Sequence, residues 1–411
     1  MKPTTFLNRT TPPHIITLVM IAGLSALTMN LLLPSLPGIA SYYAADYALV
    51  QLAVSGYLAF TGLLQLLIGP LSDRYGRRPV LLTGLGIFLV ATALAPLAPT
   101  VESFLAIRMV QASVASGMVL SRAIVRDMVD TDEAASMIGY VTMGMTLAPM
   151  IGPALGGIID EVFGWQSTFA LLLVFGLGVF VLSWMDLGET NHNRSSSMLK
   201  QFGAYPELLR SRRFWGYTLT ATFASGAFFS FLGGGPFVAT EILGMKPSQL
   251  GFYFIFMALG YMAGNYMSGR FSRQVGINRM MVTGCIVATA GMSLSLILFL
   301  VGLWHPMSFF GPIFFVGLGN GITLPSANAG IVSVRPHLAG SASGLGGAMM
   351  IGGGAALSAL AGAILSAESG PYPLITVMLL SCIIGILATL YVIKVERSLA
   401  GSDKPTPGEA P

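Results

Sequence analysis

Twelve apolar stretches of about 20 residues recur along the chain, each long enough to cross ~30 Å of hydrocarbon as an α-helix rising ~1.5 Å per residue. Inside lipid no water pairs the backbone, so only helices and closed barrels can span it. Runs this long predict helices, at 14–35, 48–69, 79–97, 103–124, 137–158, 167–186, 213–235, 248–269, 280–302, 307–332, 340–366 and 372–394. A soluble alternative fails on composition. With 54% hydrophobic and 9% charged residues over 411 positions, the apolar side chains exceed what one core can hide, since cores stop growing near ~250–300 residues. The expected fold is an all-α membrane protein.

The basic residues set the orientation, because loops rich in lysine and arginine stay cytoplasmic. With a cytoplasmic N-terminus, Lys246 is the one external basic residue, Arg108 falls inside predicted helix four, and the rest of the 21 sort to the cytoplasmic side. Both termini are then cytoplasmic. The net charge of +4 follows from this topology and is no argument for nucleic-acid binding. The first apolar run reads as a retained helix, since it is about 20 residues long and lacks a small-residue cleavage site. Cys285 and Cys382 fall inside helices nine and twelve, and the four histidines are scattered, so neither a disulfide framework nor a metal site is expected. No nucleophile–base set suggests an enzyme, and no cofactor motif is present.

The longest internal polar stretch, "DLGETNHNRSSSMLKQFGAYPELLRSRR", has six predicted helices on either side. It divides the chain into a tail at 1–13, a six-helix bundle at 14–186, a cytoplasmic linker at 187–212 with a short surface helix near 205–209, a second bundle at 213–394 and a disordered tail at 395–411. The halves echo one another. "GPLSDRYGRRPVLLTG" from Gly69 and "GRFSRQVGINRMMVTG" from Gly269 share Gly, Ser, Gly, Thr and Gly at an offset of 200 residues, as transporters built from repeats do.

These residues carry a family resemblance. Gly69, Leu71, Asp73, Arg74, Gly76, Arg77 and Arg78 resemble the loop signature of the major facilitator superfamily, with the stretch from Gly269 as its degenerate copy. Arg108 and Gln111 in "RMVQASVASG" resemble the fourth-helix motif, though Ala112 stands where a glycine is usual. "APMIGPALGG", from Ala148, resembles the fifth-helix motif of proton-driven exporters. "LLLPSLP", "SRAIVRD", "GWQSTF", "GGGPFV" and "AGSASGLGGA" resemble the bicyclomycin and chloramphenicol resistance (Bcr/CflA) branch. The resemblance implies two pseudo-symmetric six-helix bundles in a bacterial inner membrane. It also implies a monomer that exports an antibiotic or metabolite in exchange for protons, by alternating access.

The chemistry of single residues then divides the candidates. Asp73 can accept hydrogen bonds from Arg74, Arg77 and Arg78, while Gly69 and Gly76 permit close approach and a tight turn, so with Asp127 this loop is a candidate conformational latch. Pro149, Gly152, Pro153, Gly156 and Gly157 form a candidate hinge and close-packing seam in helix five. Arg108 is the residue most at odds with its surroundings, since an arginine within a span costs ~2.5–3.5 kcal/mol on insertion scales. An acid on helix one would be its partner, and the resembled branch usually carries an aspartate there. This chain has Asn30, and none of its 17 acids falls well inside a predicted helix. Proton exchange then needs another carboxylate, with Asp46, Asp73, Asp127 and Glu241 as candidates. An unneutralised Arg108 facing Asn30 favours anionic or zwitterionic cargo over lipophilic cations, with carboxylate siderophores, phenicol-like neutral drugs with polar groups and amino-acid derivatives as candidates. That makes a siderophore or metabolite carrier the alternative to drug export. Gln111, Tyr57, Phe228, Phe229, Tyr261, Asn320 and Asn328 are the remaining candidates for lining the substrate cavity.

Overall fold

The computed structural model describes residues 5–129, 131–191, 205–335 and 338–402. Among these, every regular element is helical, and twelve are long. The first six are α1 (Ile15–Tyr42), α2 (Tyr47–Tyr75), α3 (Arg77–Leu97), α4 (Val101–Met128), α5 (Thr131–Phe163) and α6 (Gln166–Asp186). The second six are α7 (Arg212–Ile242), α8 (Pro247–Val275), α9 (Ile277–Leu300), α10 (Pro306–Ser333), α11 (Ala339–Ile364) and α12 (Tyr372–Ser402). By length and composition ten of these can cross a membrane, and α5 and α8, at 33 and 29 residues, complete the set.

Each expected span is present, and most run past the predicted ends. A hydropathy reading stops where charge begins, whereas a helix continues until its backbone is capped. Thr100 and Ser103 close a capping box at the start of α4, and Ser211 accepts from the Phe214 amide at the start of α7. The chain from 395 to Ser402, expected as disordered tail, continues α12, and 403–411 lie outside the described residues. Of the expected linker, 192–204 lie outside them too, while the short helix Tyr205–Leu209 is present.

The repeat seen in sequence is a repeat of backbone. Gly76 ends α2 at φ 104°, ψ 154°, and Gly276 ends α8 at φ 86°, ψ 150°. Both lie in the positive-φ region where a side chain is strained, and each donates its N–H to the serine carbonyl four residues earlier. The next helix begins at the following residue in both halves.

Outward faces stay apolar, as lipid requires. Val174, Leu177 and Val181 form an exposed stripe on α6, at 71%, 53% and 44%. Two seams join the halves. On one, the Gly62 position of α2 lies against the Ala348 backbone of α11; on the other, Gly157 of α5 meets Pro247 of α8, and Gly251 of α8 meets Pro153. Glycine is required at Gly157 and Gly251 because a Cβ would enter the neighbouring backbone, whereas at Gly62 it would come to 3.2 Å from the Ala348 carbonyl.

Helix five carries this seam without a break. It is continuous α-helix from Thr131 to Phe163, through positions 149 and 153. Gly152 seats Asn30 of α1, and Gly156 lies so close to the Leu31 carbonyl that no side chain fits. Departures from α-geometry include 3-10 turns at Leu33–Ser35 of α1, where Pro34 interrupts the hydrogen-bond ladder, at Ala95–Leu97 of α3 and at Ala112–Val114 of α4, and a π-helical turn at Val238–Ile242 of α7.

Candidate functional site

The charged loop gathers into a closed cluster. Arg77, at the start of α3, forks between Asp73 (2.5 Å) on α2 and Asp127 (2.9 Å) on α4, and also donates to Ser72 Oγ (2.6 Å). Glu189, just beyond α6, accepts from the backbone amides of Arg77 (2.8 Å) and Arg78 (3.3 Å). Those amides are the unpaired donors every helix N-terminus presents, and the glutamate supplies an anion at the positive end of the dipole. Thr190 donates to Asp127 (3.2 Å), and Asn191 donates to the Asp73 carbonyl (3.0 Å). Arg78 donates to the Trp184 carbonyl (3.0 Å), whereas Arg74 turns outward over the Tyr75 ring. Glu189, Thr190 and Asn191 were not legible as members, because a polar linker carries no periodicity that says what it touches. All of these partners lie in the first half or in the start of the linker that follows it.

A matching cluster serves the second half. Glu396 of α12 accepts from Arg213 (2.7 Å) and Tyr217 (2.7 Å) on α7 and from Asn278 (2.6 Å) on α9. In the first half the corresponding tether to α1 is Asp186, fully buried, which accepts from the Leu7 and His14 amides and from Thr17 Oγ1 at 2.6–2.8 Å. The segment before α1 is thereby tied to the end of α6.

Arg108 is 1% exposed, and its charge is met by dipoles. Its guanidinium donates to the carbonyls of Thr28 on α1 (2.9 Å) and Ala53 on α2 (3.3 Å), and to the Gln111 side-chain oxygen. Its Cζ sits 4.4 Å from the Tyr57 ring centroid. Gln111 passes the network on to Thr92 Oγ1 of α3 (2.8 Å). Arg108, Gln111 and Tyr57 thus form one unit that joins α1, α2, α3 and α4. Hydrogen bonds to a charged group are worth about 1.5–3 kcal/mol each, enough together to offset the insertion cost.

The other cavity candidates disperse. Asn30, 1% exposed, turns toward α5 and donates to the Ala26 carbonyl (2.7 Å), leaving its oxygen without a described donor. Phe229 is buried against Gly354 of α11, with the half-buried Phe228 5.4 Å away between centroids. Asn320 is buried on α10, its oxygen also unpartnered, while Asn328 is exposed and Tyr261 half-buried. Among the described residues no group of His, Cys, Asp or Glu is arranged to hold a metal ion.

Hydrogen bonds between the halves are confined to one end. Among the described residues they run from Tyr47 to the Gly233 carbonyl (2.6 Å), from Gln51 to Ser358 (2.7 Å), and from Ser248 to Glu161, with Lys246 3.6 Å from the same carboxylate. All lie opposite the basic loops. At the basic end the described hydrogen bonds and ion pairs stay within a half.

Comparison with known proteins agrees with this architecture. The family model described as Major Facilitator Superfamily matches residues 18–356. The chain is 33% identical over 326 residues to the chloramphenicol resistance protein of Pseudomonas aeruginosa, covering 77% of this chain and 76% of that one. It is 29% identical over 352 residues to the bicyclomycin resistance protein homolog of Haemophilus influenzae, covering 84% and 88%. Among solved structures, a bacterial homolog to the human lysosomal transporter Spinster, inward-facing and occupied, superposes with a TM-score of 0.72 at 15% identity, over 96% of this chain and 98% of that one.

Proposed function

Since the chain belongs to the major facilitator superfamily, we propose that it exports a small organic molecule across a bacterial inner membrane in exchange for protons. The carrying observation is the asymmetry of the cross-half hydrogen bonds. Two six-helix halves bonded to each other at one end only are the arrangement that rocking between inward- and outward-open states requires. With the arginine-rich loops cytoplasmic, both termini are cytoplasmic and the conformation is inward-facing. Resemblance to the chloramphenicol and bicyclomycin resistance proteins supports outward movement of drug-like cargo.

Proton exchange is assigned to the loop cluster. Asp73 and Asp127 share Arg77, the one described place where two carboxylates meet a single cation. Protonating either one releases half of the fork without leaving the arginine unpaired, so the cluster can alternate between two hydrogen-bonded states. Asn30 offers no such chemistry.

The test is chloramphenicol added to the purified protein in weak buffer. Proton release on binding that Asp127→Asn abolishes is the expected result. Chloramphenicol binding with no proton release at any pH overturns the exchange and leaves a facilitator.

A further inference from the structure

Arg122 is an arginine of the first half that the packing leaves exposed, deeper along its helix than Arg74 or Arg126. It lies within α4, five residues before Asp127, which is fixed to the α2–α3 turn by Arg77. At ~1.5 Å per residue, Arg122 is therefore about 7–8 Å deeper than the loop level. Yet it is exposed, whereas Arg108 farther along the same helix is 1% exposed with its donors engaged.

Nη2 of Arg122 lies 3.9 Å from Met145 Sδ on α5. Met145 is eight residues from Pro153, and Tyr261 of α8 is ten residues from Gly251, so along the two helices that meet where Gly251 touches Pro153 they stand at similar depth. Helices α5 and α8 are packed together at the far end, through Gly157 and Pro247. Arg122 thus occupies the space beneath that seam, on the side where no described hydrogen bond joins the halves. No described ion pair involves Arg122, and Arg126, one turn on along the same face and also exposed, adds a second positive charge.

An exposed guanidinium beside apolar helix faces attracts anions and repels cations. Its fork matches a carboxylate in two parallel hydrogen bonds. The Tyr261 hydroxyl, arriving from the other half, can donate a further bond to the same group. We propose that Arg122, with Tyr261 opposite, is the element of the transport pathway that recognises a carboxylate on the substrate. This rests on the transporter reading and names its substrate class. It also moves the preference for anions from Arg108, satisfied within its own half, to a residue whose sequence reads as topology alone.

The test uses one drug body with and without a carboxylate: the affinity of the purified full-length protein for chloramphenicol succinate, divided by its affinity for chloramphenicol. Wild type is expected to favour the succinate at least tenfold. Arg122→Gln brings the ratio near one, Arg122→Lys recovers part of it, and Tyr261→Phe gives an intermediate value. A wild-type ratio at or below one, a ratio untouched by Arg122→Gln, or no binding of either compound at millimolar concentration overturns the proposal. Chloramphenicol movement by wild type in vesicles is scored separately, so loss of the transporter reading and loss of the carboxylate site are told apart.

Discussion

At the scale of single residues, the structure separates two arginines that a hydropathy reading treats in opposite ways. Arg108 is conspicuous in sequence because it interrupts an apolar run, and the structure gives that conspicuousness a packing role. Its fork holds carbonyls of α1 and α2 while its face covers Tyr57. Arg108→Lys keeps the charge and loses the fork, so it is expected to destabilise the solubilised protein by about 1–3 kcal/mol, read as a lower thermal midpoint. An unchanged midpoint with lost transport would instead mark Arg108 as substrate-facing. Arg122 is inconspicuous because it stands near other basic residues at a predicted helix end, and its contact with Met145 is visible only in the structure. Glycines divide in the same manner. At Gly156 a Cβ would enter the Leu31 carbonyl, whereas at Gly152 it comes to 3.1 Å from the Asn30 Cβ. Gly156→Ala should therefore cost about 1–3 kcal/mol as overpacking against backbone, and Gly152→Ala clearly less, as a pair of thermal melts would show.

Among elements, helix existence was legible throughout, and helix ends were not. A run such as 79–97 declares itself by apolar length, but α12 reaching Ser402 and α5 starting at Thr131 depend on capping in polar sequence. The repeat at Gly76 and Gly276 was visible because a positive φ admits few residues other than glycine, so the backbone constrains the letters directly. Prolines at 149 and 153 signal a break, yet α5 stays helical, and α4 turns 3-10 at Ala112–Val114 with neither glycine nor proline to mark it. Glu189 is the contact no pattern could supply, as an anion on the N-terminus of α3 contributed by the linker. Glu189→Gln should weaken that N-terminus by about 1 kcal/mol, seen as roughly fivefold faster hydrogen exchange of the Arg77 and Arg78 amides. Equal exchange rates in the two proteins would show that water caps the helix equally well.

For the whole molecule, two bundles and their kinship followed from the 200-residue echo and the basic loops, because both are written in sequence. The conformation was not, since it depends on which bonds between halves are made, and the same residues serve both states. Glu161 and Lys246 stand across the closed end at 3.6 Å, while Cys285 and Cys382 are buried. Cysteines placed at Glu161 and Lys246 and joined by a short bifunctional reagent should hold that end shut and stop transport, with reducible linkers restoring it. Continued transport in the cross-linked protein would mean the halves do not part there. The most direct measurement is chloramphenicol movement in proteoliposomes under an imposed pH gradient. The account predicts accumulation against its concentration gradient, toward the more acidic side, that collapses when a protonophore dissipates the pH difference. Chloramphenicol that merely equilibrates, at the same rate with or without the pH gradient, would contradict it.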